Sequence, residues 1–217
     1  MTRAIYDGLT LADLEEAFLV AQGAFTAARD VGALNRYAGT LVTLDPFSKP
    51  SSTMPEDVGL DEVLEAVVFI RRIDDSYVGT GTDGAPLGFR DFDEFALTKA
   101  RDLWVARAWL GPNFTSLDLR RHPHLYTAGM THYVGGVCHA GRVTSFSGVQ
   151  GDNDLAVALT FDAWLEARAR LRATSMFDRT MNPSGFVGGD VTRDRMFVTG
   201  AFDRLDELVE ACTGPEV

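Results

Sequence analysis

Gly135-Gly-Val-Cys-His-Ala-Gly-Arg-Val-Thr-Ser-Phe-Ser-Gly-Val-Gln-Gly-Asp-Asn-Asp-Leu-Ala-Val-Ala158 is the stretch on which the fold turns. Residues 137–139 and 143–149 are rich in strand-forming types and flank Ala140-Gly141, so they predict an antiparallel hairpin. Neighbours on a strand point to opposite faces, which sends Cys138 and His139 apart and assigns one of them to the core. Asp152 or Asn153 then caps a helix with Leu155, Ala158, Leu159, Leu165 and Ala169 on its inner side. A hairpin running straight into an amphipathic helix predicts an α+β layer fold, with helices covering one face of an antiparallel sheet.

Upstream, Phe92, Phe95, Ala96, Leu103 and Ala106 mark a helix over residues 91–109. Residues 111–136 are irregular and hold three of the four histidines. Residues 67–73 predict a strand, Asp74-Asp75-Ser76 a turn, and 77–82 its returning partner. A helical turn over 60–66 and strand-like residues at 41–44 precede them. Between these, Asp45-Pro-Phe-Ser-Lys-Pro-Ser-Ser-Thr-Met-Pro55 reads as a loop, an insertion near 45–60. The clearest helix is the first, over 9–31: Leu11, Leu14, Phe18, Ala21, Phe25 and Ala28 share a face, Thr10 and Asp13 form a cap, and Gly32 is a stop. Downstream, 174–192 is Gly-rich and aperiodic, and 202–212 predicts a short final helix. The expected organisation is one domain over 1–172. An extension over 173–217 packs on that domain or on a neighbouring subunit.

Composition limits the partners. Thirty-one acidic residues against twenty basic ones give a formal net charge of −11. That field repels nucleic acid and anionic membranes, so neither is an expected partner. No apolar run approaches the ~20 residues of a membrane span. Residues 1–7 lack the apolar segment of a secretory leader. Cys138 and Cys212 form no Cys-x-x-Cys pair, so a zinc ribbon or thioredoxin site is not expected, and two reduced, buried thiols are. Together these features predict a soluble, cytoplasmic chain.

Three segments carry a resemblance. They are Val68-Phe-Ile-Arg-Arg-Ile-Asp-Asp-Ser-Tyr-Val-Gly-Thr-Gly-Thr-Asp-Gly-Ala85, Phe95-Ala-Leu-Thr-Lys-Ala-Arg101, and the block quoted first. In order and rough spacing they resemble the GlcG/HbpS-like family of haem-binding or haem-degrading domains. Asp83, Gly84 and Ala85 match its turn; Lys99, Ala100 and Arg101 match its helix. Gly135, Gly136, Gly141, Gly148, Gly151, Asp154, Ala156 and Ala158 match its hairpin and following helix. The resemblance spans residues 9–172. It implies a profilin-like α+β fold with a five-stranded antiparallel sheet, a symmetric homo-oligomer, and haem or a related tetrapyrrole as cofactor. Some members ligate iron through a histidine on the first helix. Here the first histidine is His122, so that ligand is missing and the candidates lie elsewhere.

Imidazole is the commonest metal ligand and an axial haem ligand. His122, His124 and His132 are therefore the candidate metal ligands, with Met130 a further candidate for iron. Gly135 and Gly136 permit close backbone approach beside a helix N-terminus that attracts a carboxylate, although Asp152 and Asp154 compete there. Arg101, Arg107, Arg120 and Arg121 suit carboxylate recognition. His132 and His139 are the candidate acid/base groups. Cys138 has no local signature of a nucleophile. The expected function is binding of a small molecule, haem or another planar ligand, between the sheet and the His-bearing loop. An alternative is a haem-independent enzyme with histidine acid/base chemistry on a small organic acid, and a third is a non-catalytic assembly protein.

Overall fold

A computed structural model describes residues 9–32, 34, 38–73, 79–80, 86–87, 89–125, 127, 130–131, 133–149 and 152–181. In chain order the elements are α1 (Leu11–Asp30), β1 (Gly39–Leu44), α2 (Leu60–Ala66), β2 (Val67–Ile73), β3 (Gly79–Thr80), β4 (Pro86–Leu87), α3 (Phe89–Leu110), β5 (Phe114–Thr115), α4 (Ser116–Arg120), β6 (Gly136–His139), β7 (Arg142–Ser147) and α5 (Asp152–Met181). Single 3-10 turns occupy Pro55–Asp57 and Pro123–Leu125.

The protein is α+β, built on a five-stranded antiparallel sheet in the order β2-β1-β7-β6-β5. The quoted stretch folds as its pattern predicts. β6 and β7 pair across Ala140-Gly141, and both turn residues have positive φ, 49° and 82°. That is the conformation a two-residue hairpin turn requires.

Helices cover both faces of the sheet rather than one. Leu41, Phe69, Ile73, Val137 and Phe146 pack against α1 and α5, with Phe69 stacked on Phe161 at 5.8 Å. Val42, Leu44, Cys138 and Val143 pack against α3, with α2 and α4 beside it. The reason lies in the central strands. β1 and β7 are buried at every position, so both alternating sets of side chains need cover, as in sheets sandwiched between helix layers.

Two further expectations change. Among the described residues β2 pairs with the upstream strand β1, and Gly79–Thr80 pairs with Pro86–Leu87 as a separate ribbon instead of returning along β2. The last helix runs on to Met181. No proline or glycine interrupts it before Pro183, so a helix can continue past residue 173, where the extension was placed. The turns at 74–76 and 82–85, and the helix expected over 202–212, lie outside the described residues.

The 45–59 insertion is tied down from α3. Arg107 donates to the carbonyls of Pro46 (3.1 Å), Ser48 (2.5 Å) and Gly141 (2.5 Å), and Trp104 Nε1 donates to Ser48 O at 3.3 Å. The expected carboxylate ligand Arg107 is thus a brace between the insertion and the β6–β7 hairpin.

Candidate functional site

Three of the residues matched in the resemblance, Lys99, Gly135 and Asp154, meet at the start of β6. Lys99, from α3, and Asp154, from the first turn of α5, form an ion pair at 2.6 Å with both side chains buried. Lys99 Nζ also donates to Phe146 O at 3.0 Å, and Val149 N donates to the other Asp154 oxygen at 2.7 Å. Burial lowers the Lys99 pKa, and the Asp154 charge opposes that shift. Gly135 lies against this pair with φ 152°. A Cβ there would sit 2.6 Å from Phe146 O and 2.7 Å from Lys99 Nζ. At Gly136 a Cβ would meet Leu103 at 2.4 Å. The close approach these glycines allow is therefore to the protein's own α3 and β7. Ser116 Oγ accepts from both of their amides, at 2.9 and 3.1 Å.

Of the described residues between His122 and Gly135, Leu125 and Met130 pack in the apolar cluster of α3. Thr131 N donates to Asp102 at 2.7 Å, and Thr127 Oγ1 donates to Glu56 of the insertion at 2.7 Å. Asp102 is buried, and burial pushes its carboxyl up to about 6 against the opposing Thr131 amide and Arg101 guanidinium. Arg101 donates to Asp102 at 3.0 Å. Met130 is buried in the apolar cluster with Leu103 and Leu119.

His122 and His124 are exposed at the far end of this segment, ring centroids 5.8 Å apart. His122 Nδ1 lies 2.8 Å from Asp118 O. A carbonyl only accepts, so Nδ1 carries the hydrogen and Nε2 keeps its lone pair in the neutral ring. Arg120 and Arg121 precede it, both exposed, with Arg121 3.4 Å from Asp118. His132 lies outside the described residues. Among the described residues no three His, Cys, Asp or Glu side chains are grouped to hold a metal ion, so His122 and His124 stand as a pair.

His139 and Arg142 are cross-strand partners on the other face, under α5. His139 Nδ1 lies 2.7 Å from Asp162 Oδ2, and Arg142 donates to Asp162 Oδ1 from Nε (3.0 Å) and Nη2 (2.5 Å). Glu166, one turn on, lies 3.9 Å from His139 Nδ1 and pairs with Arg170 at 2.6 Å. Cys138 turns the opposite way into the core, as the strand alternation requires. Burial raises its thiol pKa to about 12, so it is an inert packing residue rather than a nucleophile.

Of the sequence-derived candidates, the structure brings His122 close to His124, and Arg101 and Met130 to the underside of the same segment. It keeps His139 apart on the opposite face. Sequence reasoning missed Asp162, which sits 23 positions from His139 and becomes its partner only through the register of α5 on the sheet. The chain matches no known family model and no curated protein. No described helix is long and apolar enough to cross a membrane.

Proposed function

We propose that the protein binds a small anionic ligand, of the haem or related tetrapyrrole class, at the exposed edge formed by Arg120, Arg121, His122 and His124. The single observation that carries this reading is the His122 ring. The Asp118 carbonyl fixes its Nδ1, and the arrangement presents Nε2 outward, the second-sphere pattern of metal-binding imidazoles. The two arginines place positive charge beside it in a chain of net charge −11, which suits the paired carboxylates of such a ligand. The donor set fits: His122 Nε2 would hold the iron, His124 is a second nitrogen close by, and Arg120 and Arg121 would meet the propionates. Such a group, when bound, would supply redox chemistry. Met130, Gly135, Gly136 and Arg101 would shape the segment rather than touch the ligand. The three-segment resemblance supports the ligand class. Its matched residues Lys99, Gly135 and Asp154 converge on one buried knot, which is what a shared structural signature would do. The same resemblance supports a homo-oligomer.

Titration with haemin, followed in the visible spectrum, tests the reading. The expected result is a saturable one-site Soret shift, lost in His122→Ala and weakened about tenfold by Arg120→Ala or Arg121→Ala, the equivalent of ~1.4 kcal/mol for one charge-assisted contact. An unsaturable shift, or one that His122→Ala leaves intact, overturns the assignment.

A further inference from the structure

The buried carboxylate under α5 is held from two sides, by Arg142 and by His139. Asp162 Oδ1 is already met twice by Arg142, a side chain 2% exposed. Glu166, the next acid along the helix, pairs with Arg170. A guanidinium stands beside each carboxylate near the imidazole, and His139 Nδ1 meets the remaining Asp162 oxygen at 2.7 Å. Asp162 Oδ2 accepts only, so that bond fixes the neutral tautomer with hydrogen on Nδ1 and the lone pair on Nε2. The ring is one-third exposed, whereas Asp162 is 5% exposed. The hairpin turn fixes its position further: Arg107 holds Gly141 O, and Ala140 N donates to Asn113 at 2.9 Å.

From this geometry we infer that His139 is the general base of a second site, with Asp162 as its positioning residue, acting on uncharged acyl compounds of the ester class. The substrate class follows from local charge. The two arginines and two carboxylates around the ring pair with one another, so the local charge favours an uncharged substrate over an anionic one. The step is hydrolysis. His139 Nε2 takes a proton from water as the water oxygen adds to the carbonyl carbon. The C–O bond to the leaving alcohol then breaks, and the imidazolium returns the proton to that alcohol or to solvent. Products are the acid and the alcohol. No metal or redox partner enters. This inference is independent of ligand binding at the His122 edge.

Two measurements test it on the full chain. Long-range proton–nitrogen NMR reads the tautomer. The neutral His139 ring is expected to carry hydrogen on Nδ1 in the wild type and to shift toward the Nε2–H form in Asp162→Asn. The second is p-nitrophenyl acetate hydrolysis. A saturable rate is expected, rising with deprotonation of one group. It should fall at least tenfold in His139→Gln and in Asp162→Asn. An Nε2–H wild-type tautomer overturns the inference. So does a non-saturable rate, or a rate that survives His139→Gln. Loss in His139→Gln with full activity in Asp162→Asn overturns the positioning role. If Asp162→Asn fails to fold, the wild-type tautomer and His139→Gln decide the matter alone.

Discussion

A carboxylate at position 102 sits where water does not reach it. Asp102 is 2% exposed, and its folded pKa of about 6 stands above the ordinary 3.8. Below pH 3.8 the group is protonated in both folded and unfolded chains and costs nothing. Above about 6 it is ionised in both, and the folded chain bears the full burial cost, roughly 3 kcal/mol for a shift of this size. The stability contributed here is therefore present at low pH and lost as pH rises from about 4 to about 6. Asn at 102 keeps an oxygen for the Thr131 amide and cannot ionise. Asp102→Asn is expected to melt higher than wild type above pH 6, with the difference closing toward pH 4. Calorimetric melting between pH 4 and 8 checks this, and parallel curves would sink it. The placing of Asp102 also explains why Arg101 is not a free carboxylate ligand: its guanidinium offsets the charge the fold has buried.

Elements show where local sequence suffices and where it stops. The start of α1 was legible because its signals are local. The Asp13 carboxylate accepts from Thr10 N and Thr10 Oγ1, both at 2.6 Å, and the apolar face follows at helical spacing. What the pattern did not show is Arg172 of α5, which donates to the same carboxylate at 2.5 Å and ties the two helices together. Burial works against ionising Asp13, but the Thr10 hydrogen bonds and Arg172 outweigh it and lower its pKa. The sign is opposite to that at Asp102: the contribution exists above the ordinary carboxylate pKa and fades as pH falls through the lowered one. Asp13→Ala is expected to cost about 1–2 kcal/mol at pH 7, the range of a lost cap, read by urea denaturation; a value near zero would mean the box adds nothing. Pairing between strands was less legible. The Asp74-Asp75-Ser76 signal, itself outside the described residues, pointed β2 toward a downstream strand, whereas among the described residues β2 pairs with β1 and Gly79–Thr80 with Pro86–Leu87. Turn chemistry records what bends, not which distant strand is met. For the same reason the β6–β7 hairpin, joined by two residues, was read correctly.

The whole molecule places its two candidate sites on opposite faces of one sheet. His122 and its arginines follow α4 on the α3 side, whereas His139 faces α5. Period-two alternation alone foretold that His139 and Cys138 would part. The separation of His139 from His122 and His124 needed the sheet itself, because the chain crosses from one layer to the other between them. The partners named for the two sites differ: Asp162 and Arg142 on one side, Asp118 on the other. Sites with no common partner add independently, within about 0.5 kcal/mol. Long-range coupling through charge is also weak, since the Debye length at physiological salt is about 8 Å. His139→Gln is therefore expected to leave the haemin midpoint within about twofold of wild type. Haemin at saturation is expected to leave the p-nitrophenyl acetate rate unchanged. Crossed titrations measure both at once. A haemin affinity that drops with His139→Gln would show instead that the ligand reaches the α5 face, and would merge the two sites into one.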